Sequence, residues 1–189
     1  MTMRSLIFEE IDEVLPTRML DYPLSRQSSA FSCGAAVVQS LLHYYDVKDT
    51  REEEIIDAMG TNPKDGTNIK AMVKYLNKNG LKTKETANTK LESVKKWINS
   101  GHPIVVSLQA WGEDEEPDYS QNKDSHYVVA IGYSNTSIFF EDPSLLGNRG
   151  FLTNEELEQR WHDEDSTHKA IFVYGLRPNY DSKKAKRIG

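Results

Sequence analysis

The chain has one cysteine, Cys33, in 189 residues. A single thiol cannot close an internal disulfide, which excludes a disulfide framework and points to a reducing compartment, the cytoplasm. Long apolar runs are also missing, and no window approaches the roughly 18 uninterrupted apolar residues of a membrane span. Between Met1 and Leu20, Glu9, Glu10, Asp12 and Glu13 interrupt the apolar residues, so no signal-peptide core is expected there. No GxxxxGK[ST] loop occurs, which excludes a fused ATPase of the phosphate-loop type. Nor is there an excess of positive charge: the formal net charge of −6 argues against a nucleic-acid partner. No internal repeat is found. With 38% hydrophobic and 28% charged residues, what is left is an ordinary globular composition, long enough to bury a core. One domain is expected over residues 1–180, followed by a basic tail, residues 181–189, containing Lys183-Lys184-Ala185-Lys186-Arg187.

The cysteine sits in a particular place. After Arg26-Gln27-Ser28-Ser29-Ala30-Phe31-Ser32-Cys33, apolar residues recur at helical spacing: Ala36, Val37, Leu41, Leu42, Tyr45. Ser32 is a good N-cap, which places Cys33 in the first turn. Unpaired backbone N–H groups and the positive end of the helix dipole favour a thiolate there, the nucleophilic form. Gln27, a little upstream, can return its amide to the same place as a donor to an oxyanion. A lone cysteine is also compatible with a small buried core residue.

Further along, helix signals fill the first half. Thr50-Arg51-Glu52-Glu53 reads as a capping box before Ile55, Ile56 and Met59. Thr67 or Asn68 caps a helix with Ile69, Met72, Val73 and Leu76, which stops at Gly80. Thr89-Lys90-Leu91-Glu92 is a second box, ahead of Leu91, Val94, Trp97 and Ile98. The period then changes. Pro103–Leu108, Tyr127–Tyr133 and Ser137–Phe140 read as strands, and Ala170–Tyr174 as a last one. A third box, Thr153-Asn154-Glu155-Glu156, starts a short helix ending near Trp161. Leu6–Phe8 reads as a short N-terminal strand, and the stretch around His162, Asp163 and His168 as a polar loop without standard metal-site spacing. Helices first and strands second describe an α+β fold, a helical lobe packed on an antiparallel sheet.

His126 stands at the start of the second strand and Asp142 at the end of the third, with the turn Ser134-Asn135-Thr136 between them. Folding this hairpin about Ser134 brings His126 opposite Asp142, at a cross-strand separation of about 5 Å. A carboxylate so placed fixes the tautomer of the imidazole and stabilises the imidazolium. Cys33, His126, Asp142 and Gln27 together make a nucleophile, a base, an orienting group and an oxyanion donor. Each also has a plainer role: a strand-edge histidine is often solvated, and Asp142-Pro143 suits a turn. The other histidines compete poorly, because His43 lies nearly three turns beyond Cys33 and His102 has no carboxylate at a matching register.

Gln27-x5-Cys33-Gly34-x-Ala36 with Leu42-His43-Tyr44-Tyr45 resembles the nucleophile region of the C39 peptidases, papain-like enzymes that process bacteriocin leader peptides. His126-Tyr127-Val128-Val129-Ala130-Ile131-Gly132-Tyr133 and Phe140-Glu141-Asp142-Pro143-Ser144 resemble their histidine-to-aspartate hairpin. The resemblance runs over residues 20–175. It implies a papain-like fold, with Cys33 as nucleophile, His126 as base, Asp142 as orienting residue and Gln27 in the oxyanion hole, without metal or organic cofactor. Ser32 stands where many members carry an acidic residue, and the transporter and ATPase of the export members are absent from this sequence.

The expected function is that of a cysteine peptidase acting on a peptide or protein substrate. The same residues also suit acyl transfer or amide hydrolysis on a small molecule, and an inert Cys33 would leave a binding module. A regulatory protein partner is compatible with each. The acidic stretch Glu113-Asp114-Glu115-Glu116-Pro117-Asp118, just ahead of His126, either overhangs the cleft and selects basic substrate segments or is a solvated loop.

Overall fold

Small residues open the first helix. In α1 (Cys33–Tyr44), Gly34, Ala35, Ala36, Val37 and Val38 are all buried, as are Leu41, Leu42 and Tyr44. A helix apolar on nearly every side belongs inside a protein rather than on its surface. α1 accordingly packs against α2 (Glu52–Met59), α3 (Ile69–Lys78) and the sheet. α4 (Leu91–Asn99) and α5 (Asn154–Arg160) complete the helices among the described residues of this computed structural model, which are 15–110, 119–121, 125–145, 149–163 and 166–176. The expected Leu6–Phe8 strand, the acidic stretch from Glu113 to Asp118 and the basic tail lie outside those residues.

The strands are β1 (Arg18–Met19), β2 (Lys82–Thr86), β3 (Ile104–Gln109), β4 (Ser125–Tyr133), β5 (Ser137–Glu141), β6 (Gly150–Thr153) and β9 (Ala170–Tyr174). They form one antiparallel sheet in the order β2-β9-β3-β4-β5-β6. β1 lies along the far end of β4, where Met19 pairs with Gly132. A Cβ on Gly132 would stand 2.8 Å from the Arg18 carbonyl oxygen, so only glycine admits β1 there. Every residue of β3 and β5 is buried, which accounts for the apolar runs Ile104-Val105-Val106 and Ile138-Phe139-Phe140. The fold is α+β, as expected.

Two strands went unread for the same reason. β2 is Lys-Thr-Lys-Glu-Thr, an edge strand with no apolar alternation, and Gly150–Thr153 is partly exposed. β7 (His162–Asp163) and β8 (Ser166–Thr167) pair as a small hairpin where a polar loop was expected.

The caps divide. Asn68 accepts the Lys70 N–H at 2.9 Å, and Thr153 with Glu156 forms a complete capping box. The two earlier boxes do not form, because each helix begins one residue later than the box requires. Arg51 and Lys90 occupy the N-cap positions without side-chain caps, Thr89 bonds Thr86 instead, and the buried Thr50 hydroxyl has no partner among the described residues. Asn68→Ala and Thr153→Ala should each lower the unfolding free energy by about 1 kcal/mol. Thr50→Val should leave it unchanged or raise it, since it removes an unsatisfied buried hydroxyl; urea denaturation of the three variants makes the comparison.

Candidate active site

Cys33 is the first residue of α1, and Ser32 is its N-cap. The cap is made by the backbone: the Ser32 carbonyl accepts the N–H groups of Ala35 and Ala36 at 2.9 and 3.0 Å. The Ser32 hydroxyl does not cap the helix as expected. It turns back onto Ser29, donating to that residue's carbonyl at 3.2 Å and accepting from its N–H at 3.1 Å. Among the described residues no side chain caps α1, and the N–H groups of Cys33 and Gly34 lie ahead of those that the Ser32 carbonyl takes. The helix start is closely backed. A Cβ on Gly34 would lie 2.6 Å from Cβ of Thr67, so this position has no room for a side chain.

His126 lies in β4, paired with Leu108 of β3, and is 4% exposed. Asp142 follows β5 directly. The two are joined, but not as direct cross-strand partners. Near the turn Gly132 faces Phe139; beyond an irregularity between Ala130 and Gly132, Val129 faces Glu141. Continuing that register sets Asp142 beside Val128, two residues from His126 on the same face. Diagonal neighbours are about 7–8 Å apart, within reach of an imidazole. His126 Nε2–H donates to Asp142 Oδ1 at 2.7 Å. The same oxygen accepts the Ser144 N–H at 2.8 Å and the Ser144 hydroxyl at 2.7 Å. Asp142 thus builds the turn at Pro143 and orients the histidine with one atom.

With Nε2 taken by Asp142, Nδ1 is the ring atom left to face Cys33, which lies close enough to act on the charge of His126. Burial by itself disfavours the imidazolium. The hydrogen bonds and negative charges of Asp142 and Cys33 outweigh it and push His126 up to about 9. Burial likewise raises Asp142, yet the His126 hydrogen bond and charge, helped by Ser144, hold its carboxyl below the usual range. At neutral pH the pair is therefore imidazolium and carboxylate.

Gln27 is tied to both halves of this arrangement. Its N–H donates to the Pro143 carbonyl at 2.8 Å, and its Nε2 donates one N–H to the Ser29 carbonyl at 2.8 Å. The amide plane is fixed on the turn that leads into α1, with a second N–H on the same nitrogen. Three of the other histidines have different partners: His43 meets Asp49 at the surface, His102 packs against Trp97 and Tyr45, and His168 stacks on Trp161 beside Glu158. Among the described residues no cluster of His, Cys, Asp or Glu is arranged to hold a metal, and no helix is long and apolar enough to cross a membrane.

The sequence reading missed Glu141, Arg149 and Ser25. The signal for Glu141 was a carboxylate ending the fully buried run Ser-Ile-Phe-Phe-Glu, where an unpaired charge is not tolerated.

Asp142→Asn keeps an oxygen acceptor and removes the charge. The His126 midpoint should then fall from about 9 toward the ordinary 6.5. Nitrogen NMR of the ring measures it, and an unmoved midpoint would mean that Asp142 does not stabilise the imidazolium.

A family model described as the Peptidase_C39 like family matches residues 19–167. Among curated proteins there is no match. The peptidase domain of Streptococcus ComA, a bi-functional ABC transporter involved in a quorum sensing pathway, superposes with a TM-score of 0.64 at 21% identity, covering 82% of this chain and 99% of that one. A C39-like peptidase from Bacillus anthracis gives 0.61 at 17% identity, over 85% of this chain and 99% of its own. The Carica candamarcensis cysteine protease CMS1MS2, in complex with E-64, gives 0.55 at 12% identity, over 90% and 97%. At such identities the likeness is one of fold, the α+β fold common to C39 peptidase domains and papain-like cysteine proteases. The family match reaches further, since it spans most of the sequence and includes Gln27, Cys33, His126 and Asp142: the chain belongs to the C39-like family of cysteine peptidases.

Proposed function

We propose that this chain hydrolyses a peptide bond in a peptide or protein substrate through a Cys33–His126–Asp142 triad, with Gln27 in the oxyanion hole. The observation that carries this is the His126 ring, buried between Asp142 at 2.7 Å and the Cys33 thiol and charged well above neutral pH. A charged imidazole beside a thiolate is the resting arrangement of a cysteine nucleophile.

In the first step the Cys33 sulfur attacks the substrate carbonyl carbon, and the carbonyl oxygen becomes an oxyanion. The Cys33 N–H and the second Nε2–H of Gln27 stabilise it. The imidazolium of His126 gives its Nδ1 proton to the departing amine, the C–N bond breaks and a thioester remains. Water, deprotonated by the now neutral His126, then attacks the thioester, the C–S bond breaks to release the acid and the Cys33 thiolate, and the proton taken up by His126 restores the starting state. Asp142 keeps the ring in one orientation throughout. A thiol that must stay reduced agrees with a cytoplasmic setting.

Several outcomes follow for peptide cleavage, followed by mass spectrometry of an unstructured peptide pool. Cys33→Ala should abolish it. His126→Ala should also slow alkylation of Cys33 by iodoacetamide at neutral pH at least about tenfold. Gln27→Ala should cut kcat by about 100- to 1000-fold with little effect on alkylation. In the wild type, kcat/KM should fall as pH rises through about 9, because the imidazolium that protonates the leaving amine is lost there. A thiol whose alkylation ignores His126→Ala, in a chain that cleaves no peptide, would refute the triad and favour a binding module.

A further inference from the structure

Glu141 is a buried carboxylate that the mechanism does not use. It is 1% exposed, at the end of a strand whose other residues are apolar or small. Desolvating a carboxylate is expensive unless its oxygens are engaged. Its partners all lie on one piece of chain or hold that piece. Oε1 accepts the Ser25 N–H at 2.6 Å and faces the Ser25 hydroxyl at 3.4 Å. Oε2 lies 3.6 Å from Arg149 Nη1, an ion pair rather than a hydrogen bond. Arg149 Nη2 in turn donates to the Tyr22 carbonyl at 2.6 Å. The pair therefore grips the segment from Tyr22 to Ser25 by a carbonyl at one end and an N–H at the other. Two residues beyond this grip is Gln27, whose own N–H is held by the Pro143 carbonyl.

We propose that Glu141 and Arg149 form a buried clamp that positions Gln27 as the oxyanion donor. This rests on the reading of Gln27 given under Proposed function. Glu141 and Asp142 are consecutive, so their side chains leave the hairpin end on opposite sides. One side chain reaches His126; the other reaches the strand of chain that carries Gln27. A single two-residue step thus sets the base and the oxyanion donor relative to each other. Glu141 touches neither the thiol nor the imidazole, which makes it a positioning residue. Small displacements of a positioned donor are known to cost large factors in rate.

The test separates a step that needs the oxyanion hole from one that does not. Acylation of Cys33 by p-nitrophenyl acetate passes through a tetrahedral oxyanion: the sulfur bonds to the carbonyl carbon, and p-nitrophenolate leaves with the electron pair of the broken C–O bond. Alkylation by iodoacetamide displaces iodide at a saturated carbon and forms no oxyanion. Glu141→Ala should slow acylation about 10- to 100-fold and leave alkylation within about twofold. In a Gln27→Ala background, Glu141→Ala should cost nothing further, because the two act on one donor. Glu141→Gln retains an acceptor for the Ser25 N–H and should recover part of the loss. It also serves, with Arg149→Met, if Glu141→Ala does not fold. Equal loss in both reactions, or a full additive penalty on top of Gln27→Ala, would reduce Glu141 to a stabilising residue and overturn the clamp. If Gln27→Ala alone acylates at the wild-type rate, the oxyanion assignment fails first and the clamp goes with it.

Discussion

A histidine that is almost wholly buried and yet charged needs negative charge close by, and Asp142 supplies it at hydrogen-bond distance from His126. Burial alone would expel its proton. Asp142 at 2.7 Å and the Cys33 thiol reverse that outcome. Everything else around the site keeps these groups at that separation. The enclosed helix is seated against Thr67 at Gly34, the residue after the thiol, β3 and β5 fix β4 from both sides, and Ser144 immobilises the Asp142 oxygen. A charge in a dry place is stable only while its neighbours stay put, so the rigidity of the sheet and the electrostatics of the ring are one condition.

Gln27 shows the same economy in the backbone. It lies on no regular element, yet hydrogen bonds to Ser29 and Pro143 define its place. Loops that carry function are usually more mobile than the elements they join. Here the loop before α1 is stitched to the end of the hairpin, so thiol, imidazole and amide belong to one framework although they come from distant parts of the chain.

The placement of Cys33 at a helix start and of His126 beside Asp142, with Gln27 shortly before the cysteine, was legible because each residue carries a local signal. A thiol at a helix start, a histidine and an aspartate bounding a hairpin, and an amide shortly before the cysteine are patterns that survive without coordinates. The central strands were legible because burial on both faces writes an unbroken apolar run. What the sequence hid depends on tertiary choice. Thr50 and Thr89 have the spacing of capping boxes, but their helices start one residue later, and nothing local decides between the two starts. Lys82–Thr86 is a strand only because β9 lies beside it. Glu141 looked like the continuation of a strand, and its partners Ser25 and Arg149 are invisible until the chain closes.

The irregularity between Ala130 and Gly132 has one more effect. On the turn side of it the pairing sums would set Asp142 beside Val129, which faces away from His126; the extra residue on β4 restores the common face. The hairpin therefore works as a parity device. An uncompensated one-residue change within β4 or β5 themselves would leave every residue of the site in the sequence, yet turn the carboxylate to the other side of the sheet.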